Sequence, residues 1–306
     1  MKTEGWEHDV LGWRPPSQME KSYRRVIHDP TMTTDRYLEL ISKHPAEVIH
    51  VHNEPNWPVA AVKEAAGGRP VIFNVHDVSS SRPHHPLDVF EEDAFESADA
   101  HVFISEEQRM FAGDMGLCID KPYAVLPNFA SSSTFVEKRL LPHIGGVVYM
   151  GGAQKRGENA AWRDLSQMAD ALDGQLHIYP GNPGVDYGIV HPAVLEYKTL
   201  FHRLSQHDWG LTGNSGDIPA WTHSVPNKVF EYMAAGLPVI AINNPLIRPL
   251  CEAGCGIYLD SISQLPAAAK VDPEPYRKVV MELRGNYTME RNVSVLRELY
   301  EAVLDA

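Results

Sequence analysis

Short, nearly continuous apolar runs recur along the chain, separated by longer stretches whose apolar residues fall at helical spacing. The runs at residues 47–52, 70–75, 99–104, 147–150, 175–179, 208–211 and 238–242 predict strands. Strands that are apolar on both faces belong to sheets covered by helices on both sides, so the pattern predicts a doubly wound α/β fold. The alternation is interrupted between Ala130 and Gly146, where Ser131 to Thr134, Pro142 and the pair Gly145-Gly146 mark a boundary. The expected domains are therefore 1–135 and 145–285. Beyond them, residues 286–306 carry a last amphipathic helix over about 289–304, with Val293, Leu296, Leu299, Tyr300 and Val303 on one stripe.

The most informative segment is 224–242, SVPNKVFEYMAAGLPVIAI. Pro226 suits a first helical turn, because its missing N–H is not needed there and its φ is already set. Gly236 can take the left-handed conformation that ends a helix, and Pro238 prevents resumption. A helix beginning at Ser224 to Asn227 points backbone N–H groups and a partial positive charge outward, which suits a phosphate. Lys228 and Glu231 lie one turn apart. A cation in the first turn can neutralise a diphosphate, and a carboxylate one turn on can accept from a ribose diol. An exposed helix pair worth about 0.2–0.5 kcal/mol is the other reading of the same spacing.

Further polar residues gather at predicted strand ends. His76 closes the strand at 70–75 and precedes Asp77 and a small polar loop; it reads either as a hydrogen-bond donor at a strand-end site or as a strand-end turn residue. His50 and His52 alternate on one strand and share a face. Lys155 and Arg156 follow Gly151-Gly152, placing fixed charge near flexible backbone, as an anion site or as solvated loop cations. Ser105-Glu-Glu-Gln108 reads as a capping box, Asp208 as organising a strand entry, and Glu91-Glu92-Asp93 as a solvated helix start. Ser215, in Gly213-Asn-Ser-Gly216, is expected to be a turn residue.

Composition narrows the class. The chain has 306 residues, 43% hydrophobic and 22% charged, as for a globular protein of two cores. No segment approaches the roughly 18–20 apolar residues that span a bilayer. The opening residues 1–9 lack an apolar signal region, so the expected location is cytoplasmic. A formal charge of −13 argues against a generally basic nucleic-acid surface, while leaving room for a local groove. Three cysteines, Cys118, Cys251 and Cys255, form no disulfide framework and read as reduced thiols. Phosphate-loop, dinucleotide and zinc-protease motifs are absent.

The run 224–240 resembles the donor-site signature of family 4 glycosyltransferases with the GT-B fold, which use a nucleotide-activated sugar and retain its anomeric configuration. That signature has two acidic residues separated by seven others, the first touching the sugar and the second the ribose. Glu231 matches the second, and His223 stands at the first. Residues 49–55 (IHVHNEP) and 71–77 (VIFNVHD) resemble the third and fourth strands of the family's first domain with their functional loops. Residues 98–105 (ADAHVFIS) resemble the strand before the helix leading to the Pro-Asn linker, here Pro127-Asn128. Residues 145–152 (GGVVYMGG), followed by Lys155-Arg156-Gly157, resemble the opening of the second domain.

The resemblance implies two Rossmann-like domains facing a cleft. The first, 1–135, would be acceptor-side; the second, 145–285, would bind the nucleotide sugar; the last helix would cross back to the first. It implies transfer from a nucleoside-diphosphate sugar to an acceptor hydroxyl with retention, without an essential metal or other cofactor. His76 is the implied catalytic residue. Arg156, Lys155, His223, Ser224, Asn227, Lys228 and Glu231 are implied at the donor, and His52 and Asp77 on the acceptor side. The acceptor stays open among a glycan, a lipid-linked glycan, a small molecule and a modified DNA base, and peripheral membrane contact is compatible. Two other readings fit: a DNA-directed transferase acting on hydroxymethylated bases, or a noncatalytic GT-B-like binding or assembly protein. Family members usually open with an apolar strand and a glycine-rich loop, whereas this chain begins Trp6 to Arg14 and then Pro15-Pro16, so the first βα unit is expected to be shortened or absent.

Overall fold

The computed structural model describes residues 9–12, 25–28, 33–52, 56–82, 87, 89–157, 163–179, 184–194, 196–213 and 219–306, with side chains from residue 33 onward. The loop Asn53-Glu54-Pro55, residues 6–8 and 13–16 of the opening segment, and Ser215 lie outside the described residues. Contacts divide the chain into two units: residues 1–80, 85–126 and 292–306, and residues 81–84 with 127–291.

In the first unit, β1 (Asp9–Gly12) pairs in parallel with β2 (Arg25–His28) as a two-stranded ladder of its own. A short opening strand is therefore present, so of the two expected outcomes for the first βα unit, shortened or absent, the strand is not absent. Asp9 and Gly12 bracket only two apolar residues, too short a run to read as a strand. The main sheet is parallel, in the order β3 (Ile49–His52), β4 (Val71–Val75), β5 (Ala100–Phe103), β6 (Tyr123–Val125). All of β4 and β5 is buried, which is why they were apolar on both faces. The helix Ser294–Leu304 packs beside β6 and buries Leu296, Leu299, Tyr300 and Val303.

His101, at the centre of β5, is fully buried among Phe73, Phe95 and Phe103. Burial, with a smaller contribution from the Lys121 charge, holds its pKa down at about 4. The unfolded chain then takes up this proton at higher pH than the folded chain, so stability is complete above the ordinary histidine value and is lost as pH falls towards 4. Acidification from about pH 7 to 4 is expected to remove on the order of 2–3 kcal/mol through this residue. Urea denaturation of His101→Phe should show a correspondingly shallower acid slope; an unchanged slope contradicts the assignment. The Phe95 carbonyl that His101 engages keeps the Lys121 ammonium as a donor in that variant.

The second unit holds a six-stranded parallel sheet built from β7 (Val147–Met150), β8 (Leu176–Tyr179), β9 (Ile189–Val190), β10 (Trp209–Gly213), β11 (Val239–Ile242) and β12 (Gly256–Leu259). Their spatial order is β12-β11-β10-β7-β8-β9. The first strand of the unit thus lies between its second and fourth, the doubly wound order with a switch point between β7 and β10. All seven strands predicted from the apolar runs are present. Of the two edge strands, β9 is exposed and β12 only partly buried, and neither left such a run.

Candidate active site

The segment 224–242 folds as its residues dictate. The helix Asn227–Ala234 follows Pro226 at its N-cap, and Gly236 takes a φ of 74°. The Leu237 N–H returns to the Tyr232 carbonyl, closing the helix before β11. Tyr232 fixes this helix to the sheet: its hydroxyl donates to the Leu211 carbonyl at 3.0 Å and accepts from the Met150 N–H at 2.7 Å. The helix is thereby tied to β7 and β10, the two strands flanking the switch point.

Lys228 and Glu231 are not an exposed helix pair. The Lys228 ammonium donates to the Tyr149 hydroxyl at 2.9 Å, and lies 4.2 Å from the Tyr149 ring centroid and 4.8 Å from that of Trp221. It also stands over the backbone at the end of β7, since a Cβ added at Gly151 would come within 3.4 Å of Nζ. Glu231 is only 9% exposed. Its Oε1 accepts from the Tyr197 hydroxyl at 2.8 Å, although the Tyr197 residue is 47% exposed. Burial raises the Glu231 pKa, opposed by the Tyr197 hydrogen bond and the Lys228 charge. A buried carboxylate with one donor among the described residues retains acceptor capacity for a diol.

The remaining donor-side residues divide. Asn227 is exposed at the first helical turn. Ser224 does not cap that helix: its hydroxyl donates to the Ala220 carbonyl at 2.6 Å, closing the preceding turn. His223 Nδ1 donates to the Pro219 carbonyl at 3.1 Å, which leaves Nε2 as its acceptor when neutral. The loop carrying both is held from beneath by Asn244, whose Nδ2 donates to the Trp221 carbonyl at 2.5 Å and the Ser224 carbonyl at 3.0 Å. Sequence reading missed Asn244, and its place directly after a buried strand was the available signal.

Arg156 is taken up elsewhere. Its guanidinium forks onto Asp170 at 2.8 and 2.9 Å on the exposed surface. The Lys155 stem lies against Gly184 instead. A second cation at the end of β7, in addition to Lys228, is Arg163, whose guanidinium Nη1 would be 3.2 Å from a Cβ placed on Gly152. It occupies the space beside the glycine that follows the strand. Its distance in sequence from that glycine concealed it.

In the first unit, His50 and His52 stack face to face, with centroids 4.6 Å apart. His50 Nδ1 meets the Tyr300 hydroxyl at 2.7 Å. His52 Nδ1 accepts from Asn74 Nδ2 at 3.0 Å, and lies 3.4 Å from His76 Nε2. His76 follows β4 as expected, and Gln108 holds its backbone by donating to its carbonyl at 3.0 Å. Ser105 caps the helix Glu106–Asp114 by accepting from the Gln108 N–H, but the Gln108 side-chain oxygen accepts from Ile104 rather than from Ser105. Asp77 is half-buried beside His76. Glu91, read from sequence as solvated, is 1% exposed, and its carboxylate accepts from the Ser79 and Ser80 N–H groups of the following loop. Helix position, which the charge run could not reveal, turns it inward.

Two Rossmann-like units, the second doubly wound with its switch point between β7 and β10, are the architecture of the GT-B fold. Residues 5–128 match the family described as Glycosyl transferase 4-like domain. Solved structures share the fold at low identity. Sucrose-phosphate synthase from Thermosynechococcus elongatus superposes with a TM-score of 0.70 at 14% identity, covering 99% of this chain and 90% of that one. Anabaena HepE in complex with UDP-glucose gives 0.70 at 12%, over 97% and 92%. AviGT4, a glycosyltransferase involved in avilamycin A biosynthesis, gives 0.63 at 14%, over 99% and 86%. No curated protein matches the sequence.

Proposed function

We propose that the protein transfers a sugar from a nucleoside-diphosphate donor to an acceptor hydroxyl, with retention of anomeric configuration. The observation that carries this reading is the paired setting of Lys228 and Glu231 on one helix at the switch point: an ammonium over the end of β7, and a buried carboxylate one turn on. The Anabaena protein of the same fold binds UDP-glucose, which supports the same donor class here.

In this reading Lys228 and Arg163 meet the diphosphate, Glu231 accepts from the ribose diol, and His223, through Nε2, accepts from a sugar hydroxyl. Asn227 offers its backbone N–H at the helix start, while Ser224 shapes the loop. Lys155 and Arg156 have no direct part in this reading, Arg156 being paired with Asp170. The acceptor hydroxyl approaches the anomeric carbon on the leaving-group face, and a donor phosphate oxygen takes its proton. His76 hydrogen-bonds the transferred sugar, supported by His52, with Asp77 beside it on the acceptor side. Leaving-group charge is neutralised by Lys228 and Arg163, so the transfer step itself calls for no metal or other cofactor. We place the protein in the cytoplasm. The buried thiols of Cys251 and Cys255 support that placement, as does the finding that no helix among the described residues is long and apolar enough to cross a membrane.

A panel of nucleoside diphosphates and their sugars tests the donor assignment. A ligand at 100 times its dissociation constant stabilises by about 2.7 kcal/mol, a shift readily seen in thermal denaturation. Glu231→Gln keeps the side-chain shape but not the charge, and should weaken nucleoside-diphosphate binding about tenfold, or about 1.4 kcal/mol. Because the folded protein holds the Glu231 proton more tightly than the unfolded chain does, stability falls as pH rises through that window. Glu231→Gln should accordingly be as stable as the parent at neutral pH, or more so. Absence of any nucleotide-induced shift at millimolar concentration sinks the donor assignment.

A further inference from the structure

Three histidines on the second unit have no part in the donor site. His177 lies on β8, His191 follows β9, and His207 sits just before β10. No sequence motif joins them, but the sheet order gathers them so that one ring nitrogen from each lies within 4.8 Å of the other two. His177 Nδ1 and His191 Nε2 are 2.8 Å apart, and the His177 and His207 ring centroids are 4.4 Å apart. His177 and His207 are buried, His191 partly so.

From this geometry we infer a transition-metal site, with His177, His191 and His207 as three nitrogen ligands to a divalent ion of the zinc type. Two independent observations point to a ligand. The first is the convergence itself, since imidazoles that share one small volume are the donor set zinc uses when a fourth position stays open. The second is an orphaned atom. His207 Nδ1 donates to the Gly145 carbonyl at 2.9 Å, which leaves Nε2 carrying the lone pair. That Nε2 is buried without a hydrogen-bond partner among the described residues. A buried acceptor left unmatched is costly, and a cation would satisfy it.

The surroundings fit such a role. The Gly145 carbonyl fixes the His207 tautomer in the way outer partners orient metal-bound imidazoles. Tyr179 stacks on His191 with centroids 4.1 Å apart and planes 2° from parallel, holding that ring in place. The nearby charges oppose one another: Arg203 acts on His191, and Asp208 on His207. Tetrahedral zinc at about 2.0–2.1 Å from each nitrogen sets the nitrogens roughly 3.3 Å apart, so the His177–His191 contact must open by about half an ångström. The proton between those two rings moves to a nitrogen facing away, and no net charge is lost from the imidazoles. His177 and His207 lie near the starting ends of their strands and His191 directly follows β9, and none of the three is among the residues assigned to the donor. The fourth position of the site would take water or an anionic ligand.

The test uses the full chain, stripped with a chelator and then dialysed against excess Zn²⁺ or Co²⁺. We expect one zinc per chain by elemental analysis, an intense visible cobalt spectrum of the tetrahedral kind without a thiolate charge-transfer band, and a zinc-dependent rise in melting temperature. His191→Ala, at the partly exposed corner, should weaken zinc binding by about 100-fold or more and should abolish the zinc-dependent rise. Should that variant fail to fold, the cobalt spectrum of the parent decides. Substoichiometric zinc, a weak octahedral or thiolate-type cobalt spectrum, or equal zinc affinity in parent and variant overturns the proposal. Nucleoside-diphosphate stabilisation, measured alongside, reports on the donor site independently.

Discussion

Lys228→Ala is expected to lower turnover of the nucleoside-diphosphate sugar by about 10²–10³-fold, the usual loss when one preorganised donor to a developing anion is removed. The side chain begins in the first turn of a helix that Tyr232 ties to β7 and β10, and its ammonium is held over the end of β7. Little reorganisation is then needed when charge builds on the departing diphosphate. Arginine at this position would keep the charge but replace a compact ammonium with a fork too broad for the space between Tyr149 and Trp221, so rescue should be partial. Steady-state rates for the parent, Lys228→Ala and Lys228→Arg at saturating donor check this. An alanine variant within a few-fold of the parent would show that Lys228 is a structural cation of its aromatic neighbours.

His76→Ala should reduce kcat about 10²-fold or more while leaving nucleoside-diphosphate affinity close to that of the parent, because a group that meets the sugar acts chiefly as the transition state forms. The substitution leaves the backbone in place, since Gln108 holds the His76 carbonyl rather than its ring. Isothermal titration with the nucleoside diphosphate, set beside turnover, separates the effects. Equal losses in both would make His76 a binding residue, and unaltered turnover would make it a strand-end residue only.

The central strands were legible in the sequence because strands covered on both faces must be apolar throughout, and 147–150 and 238–242 are. The helix of Lys228 was legible through its punctuation, Pro226 before it and Gly236 after it. Edge strands such as Ile189–Val190 carry no comparable signature, being exposed to water. Partnerships across the fold were harder to foresee. Nothing in Lys155-Arg156 reveals that Asp170 takes the arginine while Arg163 fills the space beside Gly152. Nor could the charge run at Glu91 show that one carboxylate turns inward to the Ser79 and Ser80 amides. Such pairings depend on which side chains the topology brings within reach, and local spacing does not encode them.

Trp221, with the Lys228 ammonium 4.8 Å from its ring centroid, gives the protein an intrinsic optical probe of donor occupancy. An indole's emission responds to a nearby charge, and an anion that screens or withdraws the ammonium alters the field across the ring. Donor titrations can then be followed by fluorescence on unlabelled protein, with Trp221→Phe identifying the share of the signal that originates beside Lys228.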